Sequence, residues 1–309
     1  MMIAPPSLQQ GSVIRLVSPA GKCDRAPMEA LAGFLESSGY LVQWGNHVTA
    51  GCFQYAGSDA QRLADLQEAL DDPTVNAVLA SRGGYGTLRL LENLDFRGFR
   101  RHPKWVAGYS DITLLHNAIH RLGYQSVHGI MARNSITGDG LPGESLQSLM
   151  EILRGEKSTT TWNSHALNRQ GKTTAPLTGG NLSLLYSLTG TPFDTDTRGK
   201  ILFIEDTGEY LYHLDRMMVS LRLAGKLKHL AGLVVGYFTE MKDNEEPFGK
   251  GVEEIILDAV RDEEFPVAFG FPAGHDLPNR ALACGGTYTL EVKNSSCSLV
   301  LQDAAKSVA

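Results

Sequence analysis

The segment Gly108-Tyr109-Ser110-Asp111 holds the residue types best suited to chemistry in this sequence. Trp105-Val106-Ala107 before it reads as the end of a short buried strand, and Thr113 to Ile119 after it as an amphipathic helix. A serine at such a strand-turn-helix corner has its hydroxyl lifted out of the sheet. The backbone N–H groups that follow it then point at whatever approaches, which suits a nucleophile whose attack creates an oxyanion. The usual elbow has a second glycine two residues after the serine; Ile112 stands there, so the match is partial. Ser110 or Asp111 acting as an ordinary helix N-cap accounts for the same residue types.

A nucleophilic serine needs a base to take its proton, and the base needs an acid to hold its tautomer. Among the nine histidines, His275 is the first choice as base, because Gly274-His275-Asp276-Leu277-Pro278-Asn279 is a Gly/Pro-rich loop and not a core segment. Glu205 and Asp206 follow the apolar run Lys200 to Ile204, and a carboxylate just after a strand is placed to orient a histidine. Either acid could instead cap the helix expected from Glu209 to Leu223. A further candidate is Ser81-Arg82-Gly83-Gly84-Tyr85-Gly86, where three glycines opening a helix from Thr87 to Leu94 would let backbone N–H groups face a ligand oxygen. A phosphate loop, an oxyanion or carboxylate cradle and a mere tight turn all fit this segment, though no Gly-Lys-Ser/Thr follows it. Arg82 suits a carboxylate partner or a surface acid. Arg82, Gly83 and Glu240, the last just beyond the strand Leu230 to Phe238, are the candidate substrate-binding residues. His116 and His120 share a helix face but lack the neighbouring Glu of H-E-x-x-H, so no metal is expected. His128 suits a core position better than a site.

The elements that must position these residues follow from periodicity. Ser12 to Ser18 reads as a strand ending at Pro19-Ala20-Gly21, Pro27 to Ser38 as a helix, and Tyr40 to Trp44 as the next strand. That β-α-β unit implies a doubly wound parallel sheet, without the glycine pattern of a dinucleotide site. Ser58 to Leu70 is a capped helix and Val75 to Ala80 a strand. From Gly155 to Ala175 the sequence turns polar, the best place for a domain junction. The expected division is an N-terminal domain over 1–155, a linker over 156–175 and a C-terminal α/β domain over 176–309. Antiparallel strands over Gly286 to Val292 and at Leu299-Val300 would close the second domain. Ser110 then comes from the first half and the acid and base from the second, each in a loop after a strand, with the site expected in the cleft between them.

The chain has 309 residues, 42% hydrophobic and 20% charged, with a net charge of -6 and no basic run. Nucleic acid and anionic membrane surfaces are disfavoured as partners. No stretch approaches the roughly 20 apolar residues of a membrane span. The N-terminal residues lack the basic and apolar regions of a signal peptide. The four cysteines are widely spaced and read as reduced thiols of a cytoplasmic protein.

Five ordered motifs together, Ser81-Arg82-Gly83-Gly84-Tyr85-Gly86, Gly108-Tyr109-Ser110-Asp111, Gly179-Gly180-Asn181, Ile204-Glu205-Asp206 and Gly274-His275, resemble the LD-carboxypeptidases, a serine peptidase family that also contains the microcin C self-immunity peptidases. The resemblance runs nearly end to end. It implies a flavodoxin-like N-terminal domain, a smaller C-terminal α/β domain and a homodimer without cofactor. It also implies Ser110 as nucleophile, His275 as base and Glu205 as its orienter, with the backbone N–H groups of Gly84 and Asp111 as the oxyanion hole. The implied reaction is release of D-Ala from the tetrapeptide of recycled murein in the cytoplasm. The rival within the family hydrolyses aminoacyl-adenylate-like toxins and should need an aromatic platform for the adenine, for which the junction offers only Trp162. An α/β-hydrolase esterase fits the order of the triad but not the missing elbow glycine. A non-catalytic cleft-binding protein would not need the serine at all.

Overall fold

In the computed structural model, which describes residues 2–136 and 143–302, the chain forms two compact units. The described part of the first runs to Lys157 and is rejoined by Arg280–Ala283; the second takes Ser158–Asn279 and the described residues from Cys284 onward.

The first unit alternates strand and helix: β1 (Val13–Val17), α1 (Arg25–Ser37), β2 (Leu41–Trp44), α2 (Asp59–Asp71), β3 (Val75–Ala80), the single turn α3 (Arg97–Arg101), β4 (Trp105–Gly108), α4 (Thr113–Arg121), β5 (Ser126–His128) and α5 (Glu144–Leu153). From β2 to β5 the spatial order is β2-β1-β3-β4-β5, with every neighbouring pair parallel. This is the flavodoxin-like order, in which ligands are met at the carboxyl ends of the strands. β3 and β4 are buried along nearly their whole length because helices cover both faces. α2 opens with a capping box between Ser58 and Gln61.

The second unit holds β6 (Thr159–Asn163), β7 (Gly171–Asn181), α6 (Leu182–Leu188), β8 (Ile201–Thr207), α7 (Leu211–Leu223), β9 (Gly232–Thr239), α8 (Val252–Ala259) and β10 (Val267–Phe269). After β11 (Leu282–Cys284), which joins the edge of the first sheet beside β5, it closes with β12 (Thr287–Val292) and β13 (Ser296–Leu301). Its seven-stranded sheet has the order β10-β9-β8-β7-β12-β13-β6. The half from β10 to β7 is parallel and the half from β7 to β6 antiparallel. Leu182, Leu202, Ile204, Met218, Leu233 and Ile256 belong to the buried core that packs α6, α7 and α8 on the parallel half.

Three expectations are corrected here. Residues 156–175 are not a plain linker: they carry β6 and the start of β7. Their threonines alternate, Thr160 being buried while Thr159 and Thr161 are exposed, so a polar composition conceals a strand. Glu205 does not follow its strand but lies inside β8, which continues to Thr207 through a register shift between Ile204 and Asp206. The helix expected from Thr87 to Leu94 is two 3₁₀ turns, Thr87–Arg89 and Leu91–Asn93. Thr87 and Leu90 are both buried there, and a period of three places i and i+3 on one face of a 3₁₀ turn. Among the described residues no helix is long and apolar enough to cross a membrane.

Candidate active site

β4 delivers Ser110. Gly108 ends that strand at φ +156°, and a Cβ on it would lie 2.8 Å from Ile112 Cγ1. The isoleucine in the place of the second elbow glycine therefore fills the room that Gly108 leaves. Ser110 is half-buried and holds φ +59°. A residue with a Cβ enters that left-handed region at a cost of about 1–2 kcal/mol, so the corner is strained and must be held by its surroundings. A 3₁₀ turn over Ser110–Ile112 then runs into α4. His116, one turn into α4, places Nε2 2.9 Å from the carbonyl oxygen of Gly108. Burial pushes this imidazole down to about 4, so it is neutral and donates: His116 is a brace for the corner and not a base.

The glycine loop presses on the serine. A Cβ on Gly83 would lie 2.8 Å from Ser110 Cβ, 3.0 Å from its Oγ and 3.4 Å from the backbone nitrogen of Asp111, so only glycine fits there. The Gly21 N–H donates to the Gly83 oxygen at 3.0 Å, which ties the turn after β1 to the same loop. Arg82 donates Nη1 to the carbonyl of Lys22 at 2.9 Å, so part of its fork fastens that turn. Asp111 is 1% exposed, and its Oδ2 accepts the N–H of Thr87 at 2.7 Å. Its side chain anchors the far end of the glycine loop.

In the second unit the bulge in β8 turns Glu205 and Asp206 inward, at 0% and 2% exposure. Glu205 Oε2 stands 2.7 Å from His275 Nδ1. A carboxylate only accepts, so Nδ1 carries the proton and the Nε2 lone pair is directed to other work. Gly274 sits at φ +129°, and a Cβ on it would lie 2.9 Å from Glu205 Oε2. Buried Asn279 accepts the Gly274 N–H at 3.1 Å and fixes the loop that carries His275. Asp206 accepts from Asn181 Nδ2, Ser183 N–H and Thr207 N–H, each at 2.9 Å. It thus serves the start of α6 and not of α7. Burial, and then the charge of Glu205, push Asp206 up to about 6 against those three donors. Burial opposes the protonation of His275, but the hydrogen bond and charge of Glu205, followed by the charges of Asp206 and Glu240, raise it above the ordinary histidine value. Glu240 is exposed just after β9, at φ +52°.

Within the first unit, then, Ser110, Gly83 and Asp111 come together; within the second, Glu205 and His275 do, with the charge of Glu240 felt at the imidazole. Sequence reasoning left Asp206 beside Glu205 as an orienting acid or a helix cap, and missed Asn279 and Arg62. Arg62 had a signal: it lies at i, i+4, i+7 with Leu66 and Ala69, a cation on the apolar face of α2. Among the described residues no group of three or more His, Cys, Asp or Glu could hold a metal ion.

Residues 14–129 match the LD-carboxypeptidase N-terminal domain family, and residues 174–290 match the LD-carboxypeptidase C-terminal domain family. The chain is 37% identical to a "probable murein peptide carboxypeptidase" of Bacillus subtilis, over 91% of this chain and 89% of that one. It is similar in structure to a muramoyltetrapeptide carboxypeptidase from Oxalobacter formigenes, with TM-score 0.85, 31% identity, and coverage of 95% of this chain and 100% of the other. It also shares the fold of the microcin C7 self-immunity protein MccF bound to aspartyl sulfamoyl adenosine, with TM-score 0.83 and 21% identity, over 98% of this chain and 99% of that one.

Proposed function

The chain belongs to the LD-carboxypeptidase family, serine-type carboxypeptidases and hydrolases, and on that premise we propose that it releases the terminal D-alanine of a murein tetrapeptide. In this reading Ser110 is the nucleophile, His275 the base and Glu205 the residue that holds its tautomer. His275 Nε2 takes the hydroxyl proton as Ser110 Oγ attacks the carbonyl carbon between the L-configured centre and the D-alanine. The backbone N–H groups of Gly84 and Asp111 receive the oxyanion. Collapse of the tetrahedral intermediate expels D-alanine, protonated by His275, and leaves an acyl-serine that water hydrolyses by the same route in reverse. Arg82, Gly83 and Glu240 are the proposed contacts to the substrate, Arg82 to its terminal carboxylate. The proposal takes the enzyme to be a cytoplasmic homodimer working in cell-wall recycling.

The observation that carries this reading is Ser110 at φ +59°, with a side-chain-free glycine against its hydroxyl. Strain of that kind persists at sites that use it. The test is mass spectrometry of purified protein incubated with L-Ala-γ-D-Glu-meso-diaminopimelyl-D-Ala, beside Ser110→Ala. Loss of one D-Ala is expected from the unmodified protein alone, with turnover in the variant down by about 10⁴-fold or more. Release by both proteins would remove Ser110 from the mechanism. Release by neither would overturn the tetrapeptide as substrate and send the search to aminoacyl nucleotides.

A further inference from the structure

We infer that Arg62, buried in α2, is a positioning residue that holds the Gly83-Gly84-Tyr85-Gly86 loop against Ser110, gripping the Pro19 carbonyl while facing the segment that Asp111 clamps at Thr87. The inference rests on the proposed function, in which that loop supplies the Gly84 N–H.

Arg62 is 1% exposed, which is rare for a cation and demands compensation by close partners. Its Nη1 donates to the Pro19 oxygen at 2.5 Å, and Nη2 pairs with Asp59, which Arg89 also binds at 2.7 Å. The guanidinium carbon stands 5.1 Å from the centre of the Tyr55 ring, a cation-π contact. The fork therefore reaches the turn after β1 and the approach to α2. It reaches the glycine loop by contact: a Cβ on Gly86 would lie 2.5 Å from Nη1, and Gly86 itself sits at φ +142°. Gly86 is glycine because Arg62 occupies the space beneath it.

On the other side of Gly86, Thr87 is held by Asp111, the residue after the nucleophile. Burial disfavours the charge of Asp111, and after the Thr87 bonds the positive charge of Arg62 restores part of it. One arginine thus braces the loop sterically at Gly86, fixes the Pro19 turn that meets Gly83 through Gly21, and supports the carboxylate that clamps Thr87. It touches no reacting atom. Its role is to keep the Gly84 N–H where the oxyanion develops, which matters in the transition state and much less in ground-state binding.

The experiment measures kcat and KM for D-Ala release by Arg62→Met, Arg62→Lys and Gly86→Ala, with thermal melts and with Ser110→Ala as reference. Arg62→Met should lower kcat by about 10²-fold with KM within threefold, since a shift of about 1 Å in such a group costs that much. Arg62→Lys keeps the charge and a donor toward Pro19, and should recover kcat to within tenfold of the unmodified protein. Gly86→Ala pushes the same loop from above and should show the same split between kcat and KM; it decides the matter if Arg62→Met does not fold. Unchanged kcat in Gly86→Ala and in a folded Arg62→Met would overturn the inference, as would a rise in KM with kcat intact or an Arg62→Lys no better than Arg62→Met. Activity in Ser110→Ala would instead strike the proposed function itself, so the two failures are distinguishable.

Discussion

His47 and His275 each meet a buried carboxylate through Nδ1, at 2.9 Å from Asp65 and 2.7 Å from Glu205. Both follow parallel strands, β2 and β10, and each carboxylate comes from a residue distant in sequence. The difference lies in what the acid is for. Asp65 projects from α2, and its second oxygen accepts the backbone N–H of His47 itself at 2.7 Å, while Gly45 leaves room for it. The carboxylate is consumed in folding the turn after β2, and the ring it holds is 36% exposed. Glu205 comes from a bulged strand, spends Oε2 on the imidazole, and has Asp206 beside it, while the His275 side chain is 18% exposed. In the proposed mechanism the pair that serves as base is the one whose acid is buried for the imidazole alone, with further negative charge raising the imidazole above its ordinary value.

The largest effect that would test this contrast is a pair of amide substitutions. Glu205→Gln preserves shape but lets an NH₂ group face Nδ1, which favours the wrong tautomer; kcat should fall by about 10³- to 10⁴-fold, read from D-Ala release. Asp65→Asn loses one of two acceptors for the His47 turn; it should cost about 1–2 kcal/mol of stability by urea unfolding and leave kcat within twofold. A comparable loss of kcat in both would mean that burial of the acid, and not its dedication to the imidazole, is what matters.

His116 sharpens the comparison from the other side, as a histidine kept neutral. Its folded value lies near 4, below the 6.5 of an unfolded chain, so the unfolded state binds the extra proton first. The stability it contributes is whole above pH 6.5 and is lost as pH falls toward 4, up to about 3 kcal/mol. Urea midpoints measured from pH 7 to 4 should show that slope, and His116→Gln, which keeps a donor for Gly108, should flatten it. An unchanged slope would place the acid sensitivity elsewhere.

How much of this was legible in the sequence follows the same physics. Ser110 and His275 stood out because Gly-x-Ser and Gly-His loops break the apolar pattern of the strands around them. The flavodoxin-like sheet was legible because α1 carries a plain helical period, Met28, Leu31, Ala32 and Leu35, between the β-rich runs of β1 and β2. The polar run over 156–175 misled because β6 and the start of β7 have an exposed face, so threonine alternation replaced the hydrophobic signal. Thr87 to Leu94 misled because its short apolar spacing fits both an α-helix and 3₁₀ turns. The buried charges around the candidate site, Arg62, Asp111 and Asp206, were the least legible in their roles, since such a charge is held by partners tens of residues away.

Glu240 gives the smallest and most discriminating effect. His275 must be neutral to accept a proton, and its value is raised, so kcat/KM should fall on acidification with a limb above the ordinary 6.5. Three acids raise it: Glu205 most, then Asp206, then Glu240. Asp206, near 6 itself, loses its charge in the same range and can no longer raise the imidazole below that pH. Glu240 is exposed and acts on the imidazole through charge, an influence that salt screens. Glu240→Gln should therefore move the acid limb slightly to lower pH at low salt and hardly at all at high salt, and, as the loss of a proposed contact to the substrate, should also raise KM. A rise in KM with the limb fixed would leave Glu240 a contact to the substrate alone. The acids that tune His275 would then be the two buried in β8, and the contrast with the turn-bound Asp65 would rest on strand burial alone.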